Sequence, residues 1–112
     1  MQPLREQLCQ RIQKGTAPLT LDAARVLLAE INSEWKIDSS TKTIQRTYTF
    51  KNFYETMAFV NALAWIAHQA DHHPDLAVGY KHCVVTYSTH DVHGLSHNDF
   101  VCAAKIDHLV TG

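Results

Sequence analysis

Histidine is the residue whose distribution first points to chemistry. The chain carries eight, and seven of them lie between His68 and His97. Imidazole is the side chain that changes charge near neutral pH without any perturbation, so a local concentration of it is a candidate for proton transfer. The focus is Ala67-His68-Gln69-Ala70-Asp71-His72-His73-Pro74-Asp75, fed by an almost unbroken apolar run from Met57 and followed by a strand pattern that ends on His90. Pro74 pushes its predecessor out of the α region and predicts a helix stop at that point. His72 and His73 then sit at the negative end of a helix dipole, where a cation gains about 0.3–1 kcal/mol, or up to about 2 when partly buried. An imidazole pKa raised in this way gives a better proton donor near neutrality. Asp71 breaks the local rule, because a carboxylate at a helix C-terminus is unfavourable. Its use is to orient an imidazole by accepting the second ring N–H. Taken alone, the His72-His73 pair also fits a solvated capping turn. With His90 opposite, the three imidazoles form a metal-free acid/base site.

Metal ligation is the rival use of imidazole. His68 and His72 are four apart and share a helical face, but the segment lacks the Glu of H-E-x-x-H and hence a hydrolytic general base. The remaining His82, His93, His97 and His108 fit ordinary surface or packing roles. Gly79 and Gly94 are isolated, so there is no phosphate-cradling loop. Cys9, Cys83 and Cys102 are odd in number and widely spaced, as in reduced thiols of an intracellular protein. A formal charge of −1 over 112 residues, with no Lys/Arg cluster, argues against nucleic acid. The start lacks the pattern of a signal peptide, and the apolar run is about half the ~20 residues a bilayer crossing needs. These features describe one cytoplasmic domain without membrane attachment.

The elements that must position the histidines follow from local patterning. Residues 1–13 are polar with a loose apolar spacing, a helical turn or two or an ordered arm, ended by Gly15-Thr16-Ala17-Pro18. Thr20 caps a first main helix extending to about Ile31. Trp35 to Asp38 and Thr43 to Phe50 alternate as an antiparallel hairpin, with Ile44, Tyr48 and Phe50 on one face and Arg46 interrupting them. Trp35 fits the core, and an aromatic beside a flat heterocycle is its other use. Asn52 with Glu55 opens the second helix as a capping box. Phe53, Met57, Val60, Ala64 and Ala67 line one of its faces, Phe59, Leu63 and Ile66 another. A helix so broadly apolar needs cover on two sides, either from the core itself or from a partner subunit. After a short connector, Tyr80 to His90 is the longest strand, with Cys83, Val85, Tyr87 and Thr89 opposed to His82, Val84, Thr86, Ser88 and His90. Ser96 and Asp99 are a second capping-box pair, opening a last helix whose stripe is Cys102, Ala103, Ile106, Leu109 and Val110. This order gives an α+β layer pair, an antiparallel sheet with helices on one face.

The spacing His68, His72-His73-Pro74, Tyr80, His90 and Asp99, with Ser88-Thr89-His90-Asp91, Gly94-Leu95-Ser96 and Asn98-Asp99-Phe100, resembles the pterin-4a-carbinolamine dehydratase family. The resemblance runs from about Leu19 to the C-terminus, which divides the chain into an N-terminal arm (1–18) and a single domain (19–112). It implies a four-stranded antiparallel sheet with three helices packed on one face. It also implies a lyase that dehydrates 4a-hydroxytetrahydrobiopterin to quinonoid dihydrobiopterin, with no cofactor and no metal, in recycling after aromatic amino acid hydroxylation. The catalytic residues carried over are His72, His73 and His90. The substrate-binding residues are Asp71, His72, His73, Ser88, Thr89, His90 and Asp91. A homodimer or homotetramer and a functional link to an aromatic amino acid hydroxylase are implied as well. The alternative is a catalytically dispensable dimerisation cofactor of a protein partner, as some members are. Two positions depart from the family: His68 stands where members often carry Glu, and Asn98 where some carry Arg. Asp99 then fits a helix cap.

Overall fold

The computed structural model describes residues 2–111. Its elements run, after a short 3-10 turn at Leu4–Glu6, as α1 (Leu21–Leu28), β1 (Lys36–Ile37), β2 (Ile44–Thr49), α2 (Phe53–Ala70), β3 (Asp75–Val78), β4 (His82–Tyr87), a 3-10 turn at His90–Val92, and α3 (His97–Thr111). The four strands pair antiparallel throughout, in the order β1-β2-β4-β3. This is the expected α+β architecture. Among the described residues no helix is long and apolar enough to cross a membrane.

Local chemistry accounts for the helix starts. The Thr20 hydroxyl accepts from the Ala23 amide at 3.2 Å, and the Asn52 side chain accepts from the Glu55 amide at 2.9 Å. Glu55 reaches back one residue further than a standard capping box, to the Lys51 amide at 3.0 Å. Several boundaries differ from expectation. α1 stops at Leu28, three residues early, because a tighter turn takes over, with the Glu30 and Ile31 amides bonding Leu27 and Leu28 carbonyls. The strand expected from Tyr80 to His90 is shorter, and its upstream connector contains the edge strand β3. Four exposed residues beside a proline carry too weak a pattern to announce a strand, and pairing to β4 supplies the order. His90 lies in a 3-10 turn, not on a strand tip.

Strand alternation puts one sheet face under the helices. Ile44 and Tyr48 of β2 and Cys83, Val85 and Tyr87 of β4 are buried, while their neighbours stay wetter. Phe59 and Leu63 of α2 and Phe100 and Ile106 of α3 complete this core. Each such buried side chain contributes roughly 1.5–3 kcal/mol. The inward stripe of α2 is Thr56, Phe59, Leu63 and Ala67. On the other expected face Ala67 is buried and Met57 and Val60 are half-buried, while Phe53 and Ala64 are exposed, as are Tyr54 and Trp65. Arg46 interrupts the buried face of β2 for an electrostatic reason. Its Nη1 meets Asp107 of α3 at 2.7 Å and its guanidinium lies 4.3 Å over the Tyr48 ring. Asp107 also accepts from the Tyr48 hydroxyl at 2.6 Å and from Trp35 Nε1 at 2.9 Å, so Trp35 is a core residue with a polar tether.

Candidate active site

The end of α2 sets the geometry. The helix stops at Ala70, not at Pro74, because Asp71 adopts the left-handed conformation with φ 52°. The His72 amide then closes onto the Ala67 carbonyl at 3.1 Å and the Asp71 amide onto His68 at 3.2 Å. This is a Schellman-type ending, in which the left-handed position usually belongs to glycine. The reversal lays His72 over β4, where its ring stacks on Tyr87 at 5.2 Å between centroids and 20° between planes. The Tyr87 hydroxyl donates to the His72 carbonyl at 3.3 Å.

The carboxylate that orients His72 is Asp99, in place of the expected Asp71. His72 Nε2 meets Asp99 Oδ1 at 2.6 Å, and since a carboxylate only accepts, Nε2 carries the proton. Asp99 is 0 % exposed. Its second oxygen accepts from the Ser96 amide at 2.9 Å and from the Thr89 hydroxyl at 2.8 Å. With the Thr89 proton committed there, Ser96 Oγ donates to Thr89 Oγ1 at 2.7 Å. Asp99 is thus a helix cap and, through the same carboxylate, the partner of His72. Burial alone would lower the His72 pKa, but the hydrogen bond and charge of Asp99 outweigh it and raise the pKa above its ordinary 6.5.

His72 borders a cavity of about 1390 Å³, which is also lined by Asp71, Thr89, His90 and Asp91. His93, whose type and place in the sequence fit a surface or packing role, lines it too. Thr89 is fixed there by its backbone as well, its amide donating to Gly94 O at 2.7 Å. Two of the expected site residues lie elsewhere. Ser88 does not border this cavity, and His73 lines a smaller neighbouring hollow of about 330 Å³ together with His68, Pro74 and Leu76. Asp71 and His72 border both. No group of three or more His, Cys, Asp or Glu among the described residues is arranged to hold a metal ion.

The far wall of the large cavity comes from the arm, where Cys9, Gln10, Arg11 and Lys14 border it. Asn98, one of the two departures, is what holds the arm in place. It accepts from the Gln10 amide at 2.8 Å and donates to the Gln10 carbonyl at 2.7 Å. His97 and Gln7 add a contact of 2.7 Å. Nothing in the polar pattern of residues 1–18 announced this role. The Ser96–Asp99 spacing did announce a structured Asp99, although not its distant partner.

A family model described as Pterin 4 alpha carbinolamine dehydratase matches residues 17–109. A relative from Legionella pneumophila (strain Corby), named "Putative pterin-4-alpha-carbinolamine dehydratase", is 50% identical over 102 residues, covering 91% of this chain and 90% of that protein. A relative of the same name from Nitrosomonas eutropha is 49% identical over 107 residues, covering 96% and 93%. Among solved structures, a transcriptional coactivator/pterin dehydratase from Brucella Melitensis superposes with a TM-score of 0.77 at 27% identity, covering 82% of this chain and 97% of its own.

Proposed function

The chain belongs to the pterin 4 alpha carbinolamine dehydratase family, and on that premise we propose that it is a hydro-lyase acting on 4a-hydroxytetrahydropterins by histidine acid/base catalysis. The observation that carries this reading is the His72–Asp99 pair, whose histidine borders a cavity that His90 also lines. Asp99 keeps the His72 ring protonated to higher pH, which suits it to act as the acid. In the proposed step the C4a–O bond breaks with its electron pair remaining on oxygen. That oxygen takes a proton from His72 and leaves as water. The N5 proton passes to His90, and the electrons of the N5–H bond form the C4a=N5 double bond of the quinonoid dihydropterin. Solvent then returns His72 and His90 to their starting protonation. Asp71 and Asp91 supply acceptors for the N–H groups of the pyrimidine edge. His73 completes the set of histidines on the strength of the family resemblance, not of a shared cavity wall. Tetrahydrobiopterin recycling after aromatic amino acid hydroxylation is the setting this chemistry serves.

The test is the dehydration rate of enzymatically generated carbinolamine. His72→Ala and His90→Ala each lower kcat/KM by roughly 10²–10⁴-fold. His90 is exposed, so its variant keeps the wild-type denaturation midpoint. Wild-type rates in both variants would remove the pair from the mechanism, and His73→Ala shows whether the third imidazole takes part.

A further inference from the structure

Outside the acid/base pair, the cavity wall contains a second reactive arrangement. Cys9 on the arm and Cys102 on α3 lie 93 positions apart in sequence, with their Sγ atoms 3.5 Å apart. A disulfide needs about 2.05 Å, so the sulfurs must approach by roughly 1.5 Å. Rotation of the half-buried Cys9 side chain, with a small shift of the arm between buried Leu4 and the Asn98 clasp on Gln10, covers that distance. Cys102 is 0 % exposed, whereas Cys9 is half-buried and borders the cavity. An oxidant therefore reaches Cys9 first, and Cys102 can react only with Cys9.

We propose that Cys9 and Cys102 form a dithiol–disulfide pair that takes small disulfides as oxidants and covalently fixes the arm as the cavity wall. The Cys9 thiolate attacks one sulfur of the incoming disulfide and releases its other half as a thiolate. Cys102 then gives its proton to that thiolate and displaces the remaining half from Cys9. One disulfide is reduced to two thiols, and two cysteines are oxidised to one bond. The electrostatics suit this order. The hydrogen bond from Cys102 holds the Cys9 thiol down at about 7 against burial, with the charges of His72 and Lys105 helping and that of Asp99 opposing. The same bond and burial push Cys102 up, so Cys9, the member that borders the cavity, is the one that loses its proton first. Cys83, buried in β4, has no part in the exchange and serves as an internal reference.

The experiment treats the intact protein with glutathione disulfide at pH 7.5 and follows it by mass spectrometry. The expected product is lighter by two hydrogen atoms, carries a Cys9–Cys102 cross-link on peptide mapping and leaves Cys83 free. Cys102→Ser instead stops at a Cys9–glutathione adduct. In the cross-linked form, amide exchange across residues 7–13 slows by at least ~10-fold relative to the reduced form. Persistence of both thiols, a wild-type product that stops at the glutathione adduct, or unchanged exchange after cross-linking would overturn the proposal. None of these readouts depends on turnover, so each outcome is independent of the dehydratase reading.

Discussion

Replacing Asp99 by Asn tests the site and the fold together. The side chain keeps its shape, and its oxygen still accepts from the Ser96 amide and the Thr89 hydroxyl, at 2.9 and 2.8 Å in the native protein. The 2.6 Å contact to His72 is what changes. An amide NH₂ turned toward Nε2 donates to it and so selects the neutral ring with its proton on Nδ1. One charge-assisted hydrogen bond is lost, about 1.5–3 kcal/mol. A loss of ~2 kcal/mol lowers the Tm of a domain this size by roughly 8 °C. The pH dependence is more diagnostic than the loss itself. Because the His72 pKa is raised on folding, its stabilisation is complete below the ordinary value of 6.5 and disappears as pH climbs through the folded value. In Asp99→Asn, burial is opposed only by the charges of Cys9 and Asp71, so that pH dependence shrinks. Urea denaturation between pH 5.5 and 9 therefore shows a wild-type advantage that is widest near pH 6 and narrows upward. The alkaline limb of kcat/KM moves to lower pH in the variant, and the maximum falls by roughly 10²-fold or more. A stability gap independent of pH, or an unmoved alkaline limb, would refute the pairing of His72 with Asp99.

Asn98→Ala removes both hydrogen bonds to Gln10 and loosens the segment after Leu4, which stays buried in the core. Trypsin then cuts after Arg11 and Lys14 several-fold faster, while the global denaturation midpoint shifts by no more than about 1 kcal/mol. Asp107→Ala strands Arg46 in a half-buried site and deprives Trp35 and Tyr48 of their acceptor, a loss of roughly 3–5 kcal/mol measurable by urea denaturation. The edge strand β3 exposes Leu76 and Val78, with Tyr80 beyond it, and α2 exposes Tyr54 and Trp65. The expected homo-oligomer is tested at these surfaces: sedimentation at a multiple of 12.7 kDa that Val78→Lys lowers would bear it out, and a monomer mass would refute it.

What the sequence made legible was local. Thr20 and Asn52 act on amides three residues away, so a short window contains both donor and acceptor. The alternation of β4 and the interruption of β2 at Arg46 were visible for the same reason. Contacts that cross the chain were not. Asp99 meets His72 across 27 positions and Arg46 meets Asp107 across 61, and no periodicity encodes either. In α2 the obstacle was an excess of signal, because a helix apolar nearly all round gives no phase from which to choose the inward stripe. The arm was legible as a turn or two or an ordered segment, and a 3-10 turn forms at Leu4–Glu6 with Leu4 buried, but its place on the cavity wall depends on contacts about 90 positions away. The family resemblance identified the histidines by spacing, but their division between two hollows depends on the left-handed turn at Asp71.

That turn carries a consequence of its own. Asp71 bears two penalties, a left-handed backbone of roughly 1–2 kcal/mol and a negative charge at the wrong end of a helix. Glycine relieves both, so Asp71→Gly makes the protein harder to denature while removing the carboxylate that borders both hollows. On the role proposed for Asp71, thermal robustness and ligand recognition pull against each other, and a variant selected for heat tolerance alone would drift toward a sturdier, less discriminating molecule.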